Sequence, residues 1–317
     1  MQVHYGINDL PQFQKAVITI GTFDGVHLGH EYILNQLKKE AAAIGGTSVL
    51  ISFHPHPRHI VSHSGQPLSL LTTLEERILL LRKAGIDHLV IIPFTETFAK
   101  MDATSYVRDF LVRYFSPQAI IIGYDHRFGA NRSGNFALLE QLQSIYRYQL
   151  KEIPAQVLEA NAISSTRIRE ALGKGLVREA RTLLGYPYFF EGLVVKGNQL
   201  GRTIGFPTAN LNIVSPDKLI PSNGVYAVKA TVQTKAYTTQ ENPVKLKGMM
   251  NIGIRPTVGG MNKVIEVNLF QFNQDIYDQF IRVELIDFIR NEQKFAGLDA
   301  LKAQLNQDQS TAESILI

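Results

Sequence analysis

Cysteine is absent from the 317 residues, which removes disulfide frameworks, thiolate metal sites and cysteine nucleophiles together and suits a reducing cytoplasm. Long apolar runs are missing too. Those at 17–20 and 89–92 have strand length, and the opening MQVHYGINDL lacks a basic stretch leading into an apolar one, so neither secretion nor a membrane span is expected. The net charge of +4 is dispersed. Without a Lys/Arg stripe interleaved with aromatics, nucleic acid is not an expected partner, and neither is a membrane. There is no GxxxxGK[ST], no HRD or DFG, and the GxG at 173–175 lacks its third glycine. P-loop, protein-kinase and dinucleotide-binding classes are thereby excluded.

What is present is a globular composition, 45% apolar and 19% charged, in a chain longer than one typical domain of ~150 residues, which suggests two. Between residues 15 and 148, β-rich runs alternate with helical patterns. AVITIGTF precedes a helix at 29–44, SVLISF one at 74–84, HLVIIPF one at 103–115 and QAIIIG one at 136–148. Strands covered on both faces by crossover helices read as such Val/Ile/Leu runs, so a parallel sheet is expected, with chemistry in the loops at its carboxyl ends. After Leu184 the texture changes. GYPYFFEGLVVKG, GVYAVKATVQT, PVKLKGMMNIG, KVIEVNLFQF and QFIRVELIDFIR alternate between Gly, Pro and Asn turns, the pattern of an antiparallel barrel or sandwich. A helix at about 298–307 closes the chain. The boundary is placed at 185/186, and each half carries enough apolar face to be expected to fold alone.

The first strong run continues into GTFDGVHLGH, where Gly21, Gly25 and Gly29 let backbone approach a ligand, with Thr22 and Phe23 in the same turn. His27 and His30, three residues apart at a helix start, can face one phosphate, where free N–H groups and the helix dipole already favour negative charge. A bare HxGH string is more often a tight turn with surface histidines, but the strand-then-helix setting favours the phosphate reading. In ISSTRIRE, the hydroxyls of Ser164, Ser165 and Thr166 can cap a helix or contact phosphate, and Arg167 and Arg169 add forked positive charge. Capping alone would account for the second motif. Together the two describe a triphosphate held from two sides, hence nucleotidyl transfer. In the second half, GRTIGFPTANL offers close backbone approach at Gly201 and Gly205 and hard oxygen donors at Thr208 and Asn210, suited to Mg²⁺ or phosphate. His54, His56, His59 and His63 could suggest a metal cluster, but Pro55 and Pro57 keep the chain extended and no carboxylate or cysteine completes a ligand set.

GTFDGVHLGH with ISSTRIR resembles the adenylyltransferase module of the bacterial bifunctional riboflavin kinase/FAD synthetase family. SFHPHPR, with Phe53, His56 and Pro57, and GYDHRFGANRSGN, with Asp125, Phe128, Gly129 and Gly134, resemble the family's loops after the second and fourth strands. The resemblance places FMN and adenine near them; His126 stands where the family more usually has Phe. GRTIGFPTANL, followed by NGVYAV, NIGIRPT and IEVNLFQFNQDIYDQFIRVELIDFIRNEQKF, resembles the riboflavin kinase module. By that resemblance Thr208 and Asn210 hold Mg²⁺ and the ATP phosphates, Glu266 is the general base, and Arg290 approaches flavin or phosphate. Asn268 replaces a frequent His, and Asp278 the Gly of an LYG turn.

The resemblance therefore implies a Rossmann-like α/β nucleotidyltransferase domain at 1–185, followed at 186–317 by an antiparallel β-barrel riboflavin kinase domain with a C-terminal helix. It implies ATP-dependent phosphorylation of riboflavin to FMN and adenylylation of FMN to FAD with release of pyrophosphate, using Mg²⁺, in the cytoplasm. A nucleotidyltransferase of another substrate with a barrel accessory domain, and a flavin-binding regulator without catalysis, remain as alternatives. The complete set of motifs disfavours the second.

Overall fold

The structure, a computed structural model, describes residues 1–61, 68–154, 163–197, 199–238, 243–257 and 260–317. The chain divides into two compact units, one comprising Met1–Leu68 and Arg77–Ser164, the other Ser69–Glu76 and Ser165–Ile317.

The first unit is built on a six-stranded sheet of β1 (Gln2–Tyr5), β2 (Val17–Ile20), β3 (Ser48–His54), β4 (His88–Pro93), β5 (Ala119–Gly123) and β6 (Gln149–Ile153). All neighbours are parallel and the order is β1-β4-β3-β2-β5-β6. Ile18, Val49, Leu50, Ile51, Val90 and Ile120 are wholly buried, as the continuous apolar runs require of a sheet covered on both faces. From β2 the chain steps to β3 and β4 on one side, while β5 returns to the other side of β2. The connections diverge there, so a crevice opens outside the carboxyl end of β2, the usual ligand position in open α/β sheets. The segment expected as helix over 103–115 is helical throughout, but its middle, Tyr106–Val112, has the wider π geometry. Strands β1 and β6 lie outside the expected alternation, at the two sheet edges.

The second unit is a closed antiparallel barrel in the order β10-β11-β8-β7-β12-β9. Its strands are β7 (Phe189–Val195), β8 (Ala209–Asn212), β9 (Gly224–Gln233), β10 (Leu246–Thr257), β11 (Gly260–Leu269) and β12 (Phe280–Arg290). Closure leaves no free edge. The last helix continues past its expected end at 307 to span Leu298–Ile315, with Ala312 buried against Phe206, Ala227 and Met249. Helices Ser165–Gly173 and Val177–Leu184, which precede the expected 185/186 boundary, belong to this unit.

Residues 69–76, early in the chain, also belong to this second unit. Leu70 forms a parallel bridge with Lys218, its N–H donating to Asp217 O at 2.7 Å. The Lys218 ammonium donates to Glu76 Oε2 at 2.6 Å and to Leu71 O at 2.7 Å, and sits 4.5 Å from the Tyr188 ring centre. Both charged side chains are 1% exposed. Burial pushes the Glu76 carboxyl up, opposed by the neighbouring Lys218. Thr73 and Glu76 cap each other reciprocally, Thr73 N–H donating to Glu76 Oε2 and Glu76 N–H to Thr73 Oγ1. A fragment of residues 187–317 would lack both the carboxylate that meets Lys218 and the 69–76 segment packed on it, so it is expected to be less stable than the same residues in the full chain. In the full chain, Glu76→Gln should cost about 3–5 kcal/mol in urea unfolding, because a buried cation loses its counter-charge. Replacing both partners, Glu76→Leu with Lys218→Met, should restore most of that stability; a single substitution as mild as the double would show the pair to be unimportant.

Candidate active sites

In the first unit β2 ends at Ile20, and the helix Leu28–Ile44 starts eight residues later with His27 as its N-cap. His27 is buried, and its Nδ1 accepts the His30 N–H at 3.3 Å. That bond leaves Nε2 as the proton-bearing nitrogen of a neutral His27 ring. The His30 ring stacks on it with centroids 3.7 Å apart and lies 4.6 Å from the Phe23 ring. Although the His30 residue is half-exposed, its Nδ1 is sealed from solvent and has no hydrogen-bond partner in the protein. Burial, then the nearness of His27 and the Arg77 guanidinium, holds the His30 imidazole well below its ordinary range. His30 is therefore neutral at pH 7, an uncharged donor rather than a fixed cation.

The other expected phosphate residues fall around this stack in different ways. The Gly21 N–H is used within the sheet, donating to Ile51 O at 3.0 Å. Gly29 lies so close to the His27 ring that a Cβ there would stand 3.2 Å from Nδ1 and 3.8 Å from the carbonyl of Ile163. Ile163, and with it the start of ISSTRIR, is thereby brought against the HxGH turn inside the first unit. Ser164 ends that unit. Ser165, Thr166 and Arg167 open the helix Ser165–Gly173 of the second, where Arg167 forks onto Glu179 at 2.8 and 3.0 Å. Sequence reasoning did not single out Arg77. Its buried guanidinium donates to Thr22 O at 2.5 Å and Phe53 O at 3.1 Å, behind the turn and at the end of β3.

The expected flavin residues Phe53 and Phe128 are core aromatics, joined through Phe98 and Tyr106 by ring contacts of 5.8, 5.8 and 5.1 Å. Gly134 pairs with Phe128 across the loop, and a Cβ at 134 would penetrate the ring at 2.4 Å, so only glycine fits. His56 is half-buried with Nδ1 accepting from Arg58 N–H, Pro57 begins a short helix, and Asp125 is exposed. Of the four clustered histidines, His63 lies outside the described residues. Among the described residues no group of three or more metal-ligating side chains occurs.

In the second unit a cavity of about 230 Å³ is lined by Gly201, Thr208, Met249, Glu266, Asn268 and Arg290, among others. Strands β8 and β11 set its chemistry. Glu266 stands directly opposite Asn210 in the antiparallel register, so the two side chains share a face, and Thr208, just before β8, lines the cavity with Glu266. A Cβ at Gly201 would meet Phe206 O at 2.2 Å, and one at Gly197 the Asn210 amide at 2.2 Å. The glycines therefore let the Thr208 and Asn210 segment pack closely; Gly205, at φ +87°, faces open space. The Asn268 amide donates to Pro207 O at 2.7 Å, fixing the residue before Thr208. Arg290 lines the cavity, yet its fork is committed to the buried Asp308 of the last helix at 2.8 and 2.6 Å. Asp308 and Asn268 were not recognised as site-shaping residues from the sequence.

One loop residue has a readable acid response. Burial, supplemented by Arg132 and Arg127 and opposed by Asp125, lowers the His126 imidazole from 6.5 to about 4, and its Nε2 is buried without a partner. Between those values the unfolded chain takes up a proton that the folded one does not, so this contribution is full above pH 6.5 and is lost as pH falls towards 4. His126→Phe should flatten that loss. Its melting temperature should fall less than the parent's between about pH 7 and pH 5; equal falls would remove His126 from the acid response.

Known proteins resemble the chain in two consecutive stretches. A family described as FAD synthetase matches residues 9–167, and one described as riboflavin kinase matches residues 184–316. A Haemophilus influenzae protein named bifunctional riboflavin kinase/FMN adenylyltransferase is 37% identical over 99% of this chain and 99% of its own. Its Escherichia coli K12 namesake is 38% identical over 98% and 97% of the two chains, and that of Bacillus subtilis 35% identical over 94% and 92%. A solved structure described as a macrolide-efflux protein from Streptococcus pneumoniae is 30% identical, with TM-score 0.85 over 98% of both chains. Among the described residues no helix is long and apolar enough to cross a membrane. Two family matches in tandem, carried together over nearly the full length by relatives of one name, show that the chain belongs to the bifunctional riboflavin kinase/FMN adenylyltransferase family.

Proposed function

We propose that residues 186–317 phosphorylate riboflavin to FMN and residues 1–185 adenylylate FMN to FAD, with ATP as co-substrate of both and a cytoplasmic place of work. The reading excludes nucleic acid and membranes as partners. It is carried by the separation of the two donor sets: stacked histidines at a helix start in one unit, and a carboxylate facing hydroxyl and amide oxygens beside a cavity in the other.

In the kinase site the ribityl primary hydroxyl attacks the γ-phosphorus of ATP, ADP leaves, and Glu266 receives the hydroxyl proton. A carboxylate on a rigid strand, opposite the phosphate-side residues, is placed to do so. Thr208 and Asn210 offer hard oxygen donors, a set that fits Mg²⁺, which when bound would neutralise charge on the ATP phosphates. Arg290, held by Asp308, acts as a wall of the flavin cavity.

In the adenylyl site an FMN phosphate oxygen attacks the α-phosphorus in line and pyrophosphate leaves. The nucleophile is already an anion, so no base is required; the chain supplies position and donors. His27 through Nε2 and neutral His30 can each give an N–H to a phosphate oxygen, and Gly21, Thr22, Phe23, Gly29 and Ser164 complete the ATP side. Phe53, His56, Pro57, Asp125 and Phe128 belong to the flavin side, the first and last as its aromatic backing.

His30→Ala should slow FAD formation from FMN by about a hundredfold or more, the usual cost of one preorganised donor, while FMN formation from riboflavin persists. Thr208→Ala and Glu266→Gln should do the reverse. Resolving the flavins after incubation with riboflavin or FMN, ATP and Mg²⁺ measures both activities, and equal damage to both by any one substitution would defeat the two-site assignment.

A further inference from the structure

We propose that Arg77 is a positioning residue for adenylyl transfer: its guanidinium ties the Thr22 carbonyl to the Phe53 carbonyl, and so holds the HxGH turn and the SFHPH segment in one geometry. The proposal rests on the assignment of that turn to adenylyl transfer.

The bonds run from Nη1 to Thr22 O at 2.5 Å and from Nη2 to Phe53 O at 3.1 Å. One carbonyl belongs to the loop leaving β2; the other is in β3, the strand hydrogen-bonded to β2. Ser52 Oγ adds a second, longer bond to Thr22 O at 3.3 Å. Two loops at the open end of adjacent strands are thus fastened at their roots by one rigid fork. Packing alone does not call for an arginine here. The same helix, Leu74–Ala84, buries leucines at 79 and 81, and a third apolar side chain would avoid the cost of removing a guanidinium from water. What leucine cannot supply is two donors in a fixed plane.

The placement also bears on His30. The charged or titratable groups acting on that ring are His27, stacked at 3.7 Å, and Arg77. A permanent cation beside it opposes protonation, so the ring enters the reaction as a neutral donor, and removal of the cation should let it protonate at higher pH.

The test uses the full chain with Arg77→Met and Arg77→Lys, and His30→Ala in parallel. Rates of FMN adenylylation and riboflavin phosphorylation are measured separately, with thermal unfolding recorded for each variant. Arg77→Met should lower kcat for adenylylation at least tenfold, change KM for ATP less, and shift the acid limb of the pH profile upward. Arg77→Lys keeps the charge but loses the fork; it should recover part of kcat and leave the acid limb unmoved. Riboflavin phosphorylation should stay within about twofold in both. If Arg77→Met does not fold, Arg77→Lys alone decides: a lowered adenylylation kcat with an unshifted limb supports the proposal, and a parental kcat overturns it. Parental kcat in both Arg77 variants, with His30→Ala disabled, rejects Arg77 only. FAD formation undiminished in His30→Ala rejects the site assignment beneath it.

Discussion

A charge taken out of water must find fixed partners, and two consecutive residues of this chain, Glu76 and Arg77, are both taken out of water. Their solutions differ. Glu76 meets the Lys218 ammonium and caps the turn at Thr73, while Arg77 gives its donors to the carbonyls of Thr22 and Phe53. The partition of the chain follows these bonds: one unit takes residues up to Glu76 from the 69–76 segment, and the other resumes at Arg77. A boundary drawn where sequence texture changes, near residue 185, describes the change from α/β alternation to barrel strands. The buried ion pair describes which residues the barrel needs.

On the reading proposed above, the two sites answer two different demands of phosphate chemistry. A hydroxyl must lose a proton as it attacks, and the barrel offers Glu266 on a strand whose register fixes it against Asn210. A phosphate needs no such help. For that step the sheet unit offers two stacked imidazoles, of which His30 is held neutral by burial, by His27 beside it and by Arg77. An uncharged donor in a site that excludes water stabilises developing negative charge without first attracting a competing proton or counter-ion.

Much of this was legible in the sequence, for reasons that also define where legibility stops. The central strands show as Val/Ile/Leu runs because both their faces are buried, whereas β1 and β6, at the edges, mix QVHY and QLKEI with half their residues exposed. The last helix runs beyond 307 through Gln, Ser and Thr, a stretch whose apolar signal reduces to Ala312 and Ile315, with Leu316 just past its end. His27, His30, Thr208 and Asn210 stand in motifs whose local spacing suggests their chemistry, whereas Glu266 is singled out by the family resemblance alone. Arg77, Asn268 and Asp308 act on carbonyls or side chains 55, 61 and 18 residues away. In LEERILLLR an arginine reads as the polar face of an amphipathic helix, and only the fold reveals that it points at two strand ends.

The ion pair between Glu76 and Lys218 joins residues 142 positions apart, and this distance has a meaning in time. On a ribosome adding about 5–20 residues per second, Lys218 is polymerised roughly seven to thirty seconds after Glu76. During that interval the strands of the sheet through β6 have been made, but the cation that will neutralise Glu76 has not. Until then the Glu76 carboxylate lacks the ammonium that lets it be buried. The pairing that withdraws Glu76 from solvent is thus deferred until the chain beyond Asn212, which ends β8, has been made.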